Sequence, residues 1–213
     1  MVELKTGYFV REVDFQEALE TLRRGQILVY PTETVYGLGV DIAQEKVLAR
    51  LFALKGREAA KSVSVLVGTW EQLTGLVLLF DNNLLNLIKK FIPGPLTLVL
   101  PAGTKAPRQI VASDGTIGIR WSSHPVAQRL AESFGPITTT SANPSGLPAA
   151  LSAEQVEAYF RKDENVALLR GEDSAATALA STVVKATEQG LTLIREGAIA
   201  FSEIEKAYGI KKS

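Results

Sequence analysis

The residues of this chain that can do chemistry gather in three short segments. The first is Pro31–Thr32–Glu33–Thr34–Val35–Tyr36–Gly37–Leu38–Gly39, which directly follows an apolar run. Its glycines permit positive φ or a close backbone approach, and its threonine hydroxyls can donate and accept. It therefore reads either as a ligand loop or as a turn with satisfied hydroxyls. The second is Lys55–Gly56–Arg57, with Lys61 close behind, at the end of a helical pattern. Cations there either complement the helix dipole or clamp a phosphate, arginine as a planar fork and lysine as a point charge. The third is Thr138–Thr139–Thr140–Ser141–Ala142–Asn143–Pro144–Ser145–Gly146, a dense row of hydroxyls ending in a turn, although threonine also suits strands. Arg120 closes Thr116–Ile117–Gly118–Ile119–Arg120, either as a paired structural arginine or as a binder of carboxylate or phosphate. His124 before Pro125 is expected to cap or pack, and Trp70 and Trp121 to belong to the core.

The elements around these segments alternate. Asp14 followed by Glu17 forms a capping box, Phe15, Ala18, Leu19 and Leu22 make one apolar stripe, and Gly25 stops the helix. Ile27 to Tyr30 reads as a buried strand stopped by Pro31. A helix is expected over 44–54, a strand over 62–67, and helices near 70–76 and 84–91. Pro93–Gly94–Pro95 breaks the pattern before a strand over 96–100. Strands are expected at 116–121 and 137–140 around a helix over 125–133, and another helix runs from its Ser152 cap to about Phe160. Strands at 166–169, 182–184 and 191–195 and a short helix after Ser202 complete the chain. Strands and helices alternate without strict βαβ regularity, which predicts a mixed-sheet α/β domain.

Composition narrows the chemistry. Of 213 residues 46% are hydrophobic and 22% charged, a globular mixture. Lys plus Arg is 23 and Asp plus Glu is 23, which excludes a general basic coat for nucleic acid but not a local basic cleft. With no cysteine there are no disulfides, thiolate metal sites or cysteine nucleophiles, and a lone histidine argues against a histidine-rich metal site. No metal ligand set is therefore assigned. There is no G-x-x-x-x-G-K-[ST] run, and Gly37–Leu38–Gly39 lacks the third glycine of a dinucleotide fingerprint. No stretch approaches the roughly 18 apolar residues of a membrane span, and the first residues lack the apolar core of a signal peptide. A cytoplasmic protein is expected.

Taken in order, these motifs resemble those of the YrdC-like family, the threonylcarbamoyl-AMP synthases. The match includes the loop from Pro31 to Gly39, Lys55–Gly56–Arg57, Pro93–Gly94–Pro95–Leu96–Thr97, Ile119–Arg120 with His124–Pro125, Ser141–Ala142–Asn143, Ser181–Thr182–Val183 and Arg195–Glu196–Gly197. It runs from about Asp14 to Phe201. Glu58 stands where relatives usually carry a proline, and so does Val63. The resemblance implies one domain over 1–213, of the short form, with a twisted sheet of parallel and antiparallel strands and flanking helices around a concave electropositive site. It implies an enzyme combining L-threonine, bicarbonate and ATP, with magnesium on the nucleotide, into threonylcarbamoyl-AMP and pyrophosphate. The product would pass to the machinery that transfers threonylcarbamoyl to adenosine in tRNA, and tRNA itself is a possible ligand.

By position Lys55, Arg57, Lys61, Thr116, Ser141, Asn143, Ala149 and Arg195 match nucleotide-binding residues, with Lys55 and Arg57 central to the chemistry. Thr34, Arg120, Thr139 and Ser181 match threonine-binding positions, with Thr32 and Tyr36 shaping the pocket. Two other readings stay open: a non-catalytic RNA-binding module, and a related carbamoyl-adenylate or carbamoyl-transfer enzyme.

Overall fold

The computed structural model describes residues 10–56, 63–171 and 179–209. In chain order the strands are β1 (Arg11–Val13), β2 (Ile27–Tyr30), β3 (Gly37–Gly39), β4 (Ser64–Leu66), β5 (Leu96–Pro101), β6 (Thr116–Arg120), β7 (Ile137–Thr138), β8 (Thr140–Ser141), β9 (Val166–Leu169), β10 (Thr182–Thr187) and β11 (Gly190–Arg195). The helices are α1 (Phe15–Arg23), α2 (Glu45–Leu54), α3 (Trp70–Leu76), α4 (Asn82–Phe91), α5 (Pro125–Phe134), α6 (Ala153–Phe160) and α7 (Phe201–Tyr208). Local rules explain most boundaries. Asp14 accepts from the Glu17 amide at 2.9 Å while Glu17 accepts from the Asp14 amide at 3.0 Å, so the capping box is complete. Gly25, at φ +68°, ends α1. Among the described residues no helix is long and apolar enough to cross a membrane.

The expected mixture of parallel and antiparallel strands is present, and it is divided between two sheets. One has the order β1-β9-β2-β3-β8 and the other β11-β10-β5-β6-β4-β7. In the first, β1, β9 and β2 run parallel, while β3 is antiparallel to both β2 and β8. In β2 the side chains alternate between two cores. Ile27 and Val29 enter the larger one, while Leu28 and Tyr30 face Ala18, Leu22, Ala127 and Leu130 from α1 and α5. Both faces of β2 are therefore dry, which explains the unbroken apolar run Ile27–Leu28–Val29.

Two differences from the sequence reading matter for function. The segment read as one strand over 137–140 is two strands in different sheets. The Thr138 amide donates to Val40 O at 2.9 Å, and the next amide, Thr139, donates to Ser64 O at 2.7 Å. Period-2 patterning carries no information about which sheet a strand joins, so this division was not legible. Second, Gly37–Leu38–Gly39 is a strand, and neither glycine has positive φ. Their small size serves the Tyr30 ring, which crosses the hairpin. A Cβ on Gly37 would lie 3.0 Å from Tyr30 Cζ, and one on Gly39 would lie 2.8 Å from Cε1. The Tyr30 hydroxyl donates to Thr138 O at 3.2 Å, and burial pushes this phenol well above its usual range.

The β10 and β11 ends are clamped by Thr182, whose buried hydroxyl accepts from the Gly197 and Ile199 amides and donates to Ile199 O at 2.6 Å. A Cβ on Gly197 would sit 2.2 Å from Ala180 O and 2.6 Å from the Ser181 carbonyl carbon, backbone atoms that no side-chain rotation can clear. Gly197→Ala is therefore expected to cost about 1–3 kcal/mol or more through overpacking. Denaturant unfolding of the full chain checks this, and a change below about 0.5 kcal/mol, the scatter of surface substitutions, contradicts it.

Candidate active site

A cleft of about 150 Å³ opens beside the segment where the chain changes sheets. This is smaller than the roughly 300 Å³ at the lower end of ordinary ligand pockets, a volume for an amino-acid-sized group with larger moieties outside it. Its lining combines Thr32, Thr34 and Tyr36 from the β2–β3 loop, Thr97 of β5, Arg120 of β6 and Thr139. Ser141, Ser181 and Arg195 complete its polar wall, and Val63 lies among its apolar residues. The structure thus gathers residues from far apart in the chain, Thr32 to Arg195, including every residue assigned to the threonine subsite.

Arg120 is only 6% exposed. Its Nη2 donates to Thr34 Oγ1 at 3.0 Å and lies 3.1 Å from Glu33 Oε1. Its Nε is buried with no hydrogen-bond acceptor, a donor turned away from water and unspent. Thr32 serves the loop itself. Its hydroxyl donates to Val35 O at 2.6 Å and accepts from the Thr34 and Val35 amides at 3.2 Å. It holds the loop so that Thr34 meets Arg120. Tyr36 is fully buried, and its backbone joins the loop to Ala142 and Ala150.

Lys55 overturns one expectation. A cation at a helix end, whether it complements the dipole or clamps a phosphate, is expected to reach solvent, yet the residue is 2% exposed. Its Nζ donates to Ser141 O at 2.7 Å, Asn143 O at 2.8 Å and Asn143 Oδ1 at 2.7 Å. Ser141 Oγ donates to the same Oδ1 at 2.6 Å, and Asn143 Nδ2 donates to Leu147 O. The ammonium, hydroxyl and amide thus form one network joining α2 to the turn after β8. The buried ammonium is acceptable there because carbonyl dipoles surround it.

Arg195, at the end of β11, donates through Nη2 to Ser181 O at 2.8 Å and lies 3.3 Å from Ser181 Oγ. Ser181 Oγ is also 2.9 Å from Thr97 Oγ1. The residues assigned to nucleotide and to threonine are therefore in direct contact here. Ala149 lies outside the cleft lining but next to Ala150, whose amide donates to Ala142 O behind Ser141. Thr116 is not brought to the cleft. It begins β6 while Arg120 ends it, about 13 Å away at the usual strand rise. Its hydroxyl donates to Asp114 at 2.6 Å, and Asp114, also paired with Lys185, has its carboxyl lowered to about 2. Arg57 and Lys61 lie outside the described residues. His124 caps α5 as expected, its Nδ1 accepting from the Val126 amide at 3.2 Å.

Sequence reasoning assigned no role to Thr97, Ser64, Ser122 or Glu33. Thr97 stands opposite Arg120 in the β5–β6 register, a pairing no local pattern announces. Ser122, two residues beyond Arg120, gave only its spacing as a signal.

The family model Sua5/YciO/YrdC, whose description reads telomere recombination, matches residues 20–197. The chain belongs to the Sua5/YciO/YrdC family. A curated Pyrococcus abyssi relative named threonylcarbamoyl-AMP synthase is 37% identical over 204 residues, covering 94% of this chain and 58% of the relative. One of the same name from Vibrio parahaemolyticus is 35% identical over 166 residues, covering 76% of this chain and 88% of the relative. The crystal structure of Pyrococcus abyssi Sua5 complexed with L-threonine superposes with a TM-score of 0.85 at 34% identity, over 93% of this chain and 60% of that one. The chain thus spans somewhat over half the length of the Pyrococcus relative it matches.

Within this Sua5/YciO/YrdC domain, Lys55 joins two motifs 86 positions apart. Lys55→Ala is expected to leave buried carbonyls unpaired and lower stability by about 1–3 kcal/mol. Denaturant titration of the full chain checks this, and parent-like stability contradicts the buried network.

Proposed function

We propose that this protein is an L-threonylcarbamoyladenylate synthase, forming threonylcarbamoyl-AMP and pyrophosphate from L-threonine, bicarbonate and ATP. The observation that carries the reading is the buried Arg120 lining a small hydroxyl-rich cleft beside the Lys55–Ser141–Asn143 turn. The Pyrococcus abyssi Sua5 structure with L-threonine supports the same choice of amino acid.

In this reading Arg120 takes the substrate carboxylate, and Thr34, Thr139 and Ser181 surround its amine and hydroxyl. The amine attacks the carbon of carbon dioxide released from bicarbonate, and loss of a proton gives the carbamate. A carbamate oxygen then attacks the α-phosphorus of ATP, a P–O bond forms, the α–β bridge breaks, and pyrophosphate leaves with its electron pair. Both steps gather negative charge, so positioning and cationic stabilisation supply most of the catalysis. Arg195, Arg57 and Lys61 are the side chains assigned to the phosphates. Lys55 contributes by fixing the turn that carries Ser141 and Asn143. Arg195 already touches Ser181, so a phosphate held by that arginine would lie beside the amino-acid subsite. Magnesium enters as part of the substrate, on the ATP phosphates. The product is then consumed by the tRNA threonylcarbamoyl-transfer machinery, in the cytoplasm.

The decisive assay is pyrophosphate release from ATP that requires both L-threonine and bicarbonate. Valine, isosteric with threonine but lacking the hydroxyl, is expected to support it at least about a hundredfold less well, because the hydroxyl-lined wall is left unpaired. Arg120→Lys is expected to remain inactive, since a point charge cannot replace the planar fork. Equal turnover with valine overturns the amino-acid assignment. RNA binding with steep salt dependence and no turnover favours a binding module instead. Turnover with carbamoyl phosphate replacing threonine and bicarbonate favours the carbamoyl-transfer reading.

A further inference from the structure

Glu33 is the member of the β2–β3 loop to which the amino-acid reading gives no role, and its surroundings are unusual. One carboxylate oxygen, Oε1, lies 3.1 Å from Arg120 Nη2, and the other, Oε2, accepts a short hydrogen bond from Ser122 Oγ. Ser122 is fully buried, two residues past Arg120 on the same chain, and its hydroxyl also accepts from the His124 amide at 3.2 Å. The start of α5 therefore orients Ser122, Ser122 holds Glu33, and Glu33 bears on the guanidinium.

The manner of contact distinguishes a support from a rival ligand. A carboxylate that saturates an arginine does so bidentately, through two parallel N–H bonds. Glu33 reaches one terminal nitrogen, its Oε1 is not aligned as a hydrogen-bond acceptor, and Arg120 Nε stays without an acceptor. Glu33 is not among the residues lining the cleft, whereas Arg120 is. It thus approaches from outside the cleft wall and leaves the fork unsaturated. Charge gives a second reason for its presence. The Arg120 side chain is 7% exposed, and a lone guanidinium at that depth carries a large desolvation cost in the empty site. A carboxylate beside it keeps the site folded without substrate.

We propose that Glu33 is the positioning residue of the amino-acid subsite: held by Ser122, it fixes the Arg120 guanidinium and leaves its remaining donors to the substrate carboxylate. This rests on the reading of Arg120 as the carboxylate partner, and the test separates the two.

The test uses the full chain, with L-threonine calorimetry and steady-state kinetics on Glu33→Ala, Glu33→Gln, Ser122→Ala and the Glu33→Ala/Ser122→Ala pair. Glu33→Ala is expected to weaken threonine binding about tenfold or more, within the range of coupled neighbours. Its KM for threonine should rise in step while its KM for ATP stays within about twofold, a split that general damage to the fold does not produce. Glu33→Gln keeps the shape and an oxygen for Ser122, so it should fall between Glu33→Ala and the parent. Because Ser122 acts through Glu33, the double variant should bind no worse than Glu33→Ala by more than about twofold. Parent-like threonine binding by Glu33→Ala overturns the proposal, and so do additive losses in the double variant or KM values that rise equally for both substrates. A parent chain that binds no threonine overturns the amino-acid reading itself, and this proposal with it.

Discussion

Between Thr138 and Thr140 the backbone leaves one sheet and enters the other, and the cleft exists because of that division. The Thr138 amide is paired to the extension of β3, and the Thr139 amide is paired to β4 in the other sheet. A strand that stayed in one sheet would not carry Ile137 and Thr138 beside β4 and then Thr140 and Ser141 beside β3. Backbone groups must be paired wherever water is excluded, so the crossing holds only because Val40 and Ser64 both offer carbonyls there. Tyr30 braces the same point from behind, its hydroxyl on Thr138 O and its ring over Gly37 and Gly39. The hairpin that carries Thr34 and the crossing that carries Thr139 are therefore set by one packed unit.

Onto that frame the structure adds two buried cations, satisfied in different ways. Lys55 is surrounded by oxygens of Ser141 and Asn143, so its charge is spent on shaping a turn. Arg120 has a carboxylate and a hydroxyl on one nitrogen and keeps another donor without an acceptor. The first arrangement is architecture, and the second is the one the amino-acid reading uses. Unpaired buried donors are costly and uncommon in folded proteins.

The proximity of Arg195, Ser181 and Thr97 has a further consequence for how the site works. Ser181 touches both the arginine assigned to the nucleotide and the threonine that stands opposite Arg120 in the register. The residues assigned to nucleotide and to threonine meet at one hydroxyl, and Gly197 packs so closely on the Ser181 backbone that a Cβ would lie 2.6 Å from its carbonyl carbon. Neighbours this tightly packed do not act independently.

The sequence by itself determined the elements and the identity of the motifs. The Asp14–Glu17 box, the stripe Ala18–Leu19–Leu22 and the apolar run of β2 declare themselves because helix capping, helical period and two-sided burial are local properties. The ordered match from the Pro31 loop to Arg195–Glu196–Gly197 named the family for the same reason, since it needs only residue types in order. What the tertiary structure alone decided is partnership. Whether Lys55 faces solvent or carbonyls, which sheet each half of Ile137–Ser141 joins, and why Gly37 and Gly39 are glycines all depend on residues far away in sequence. The role of Glu33 belongs in that class, because its meaning comes from Arg120 and Ser122, the latter 89 positions on. Burial and pairing are properties of the packed chain, and no window of sequence contains both partners.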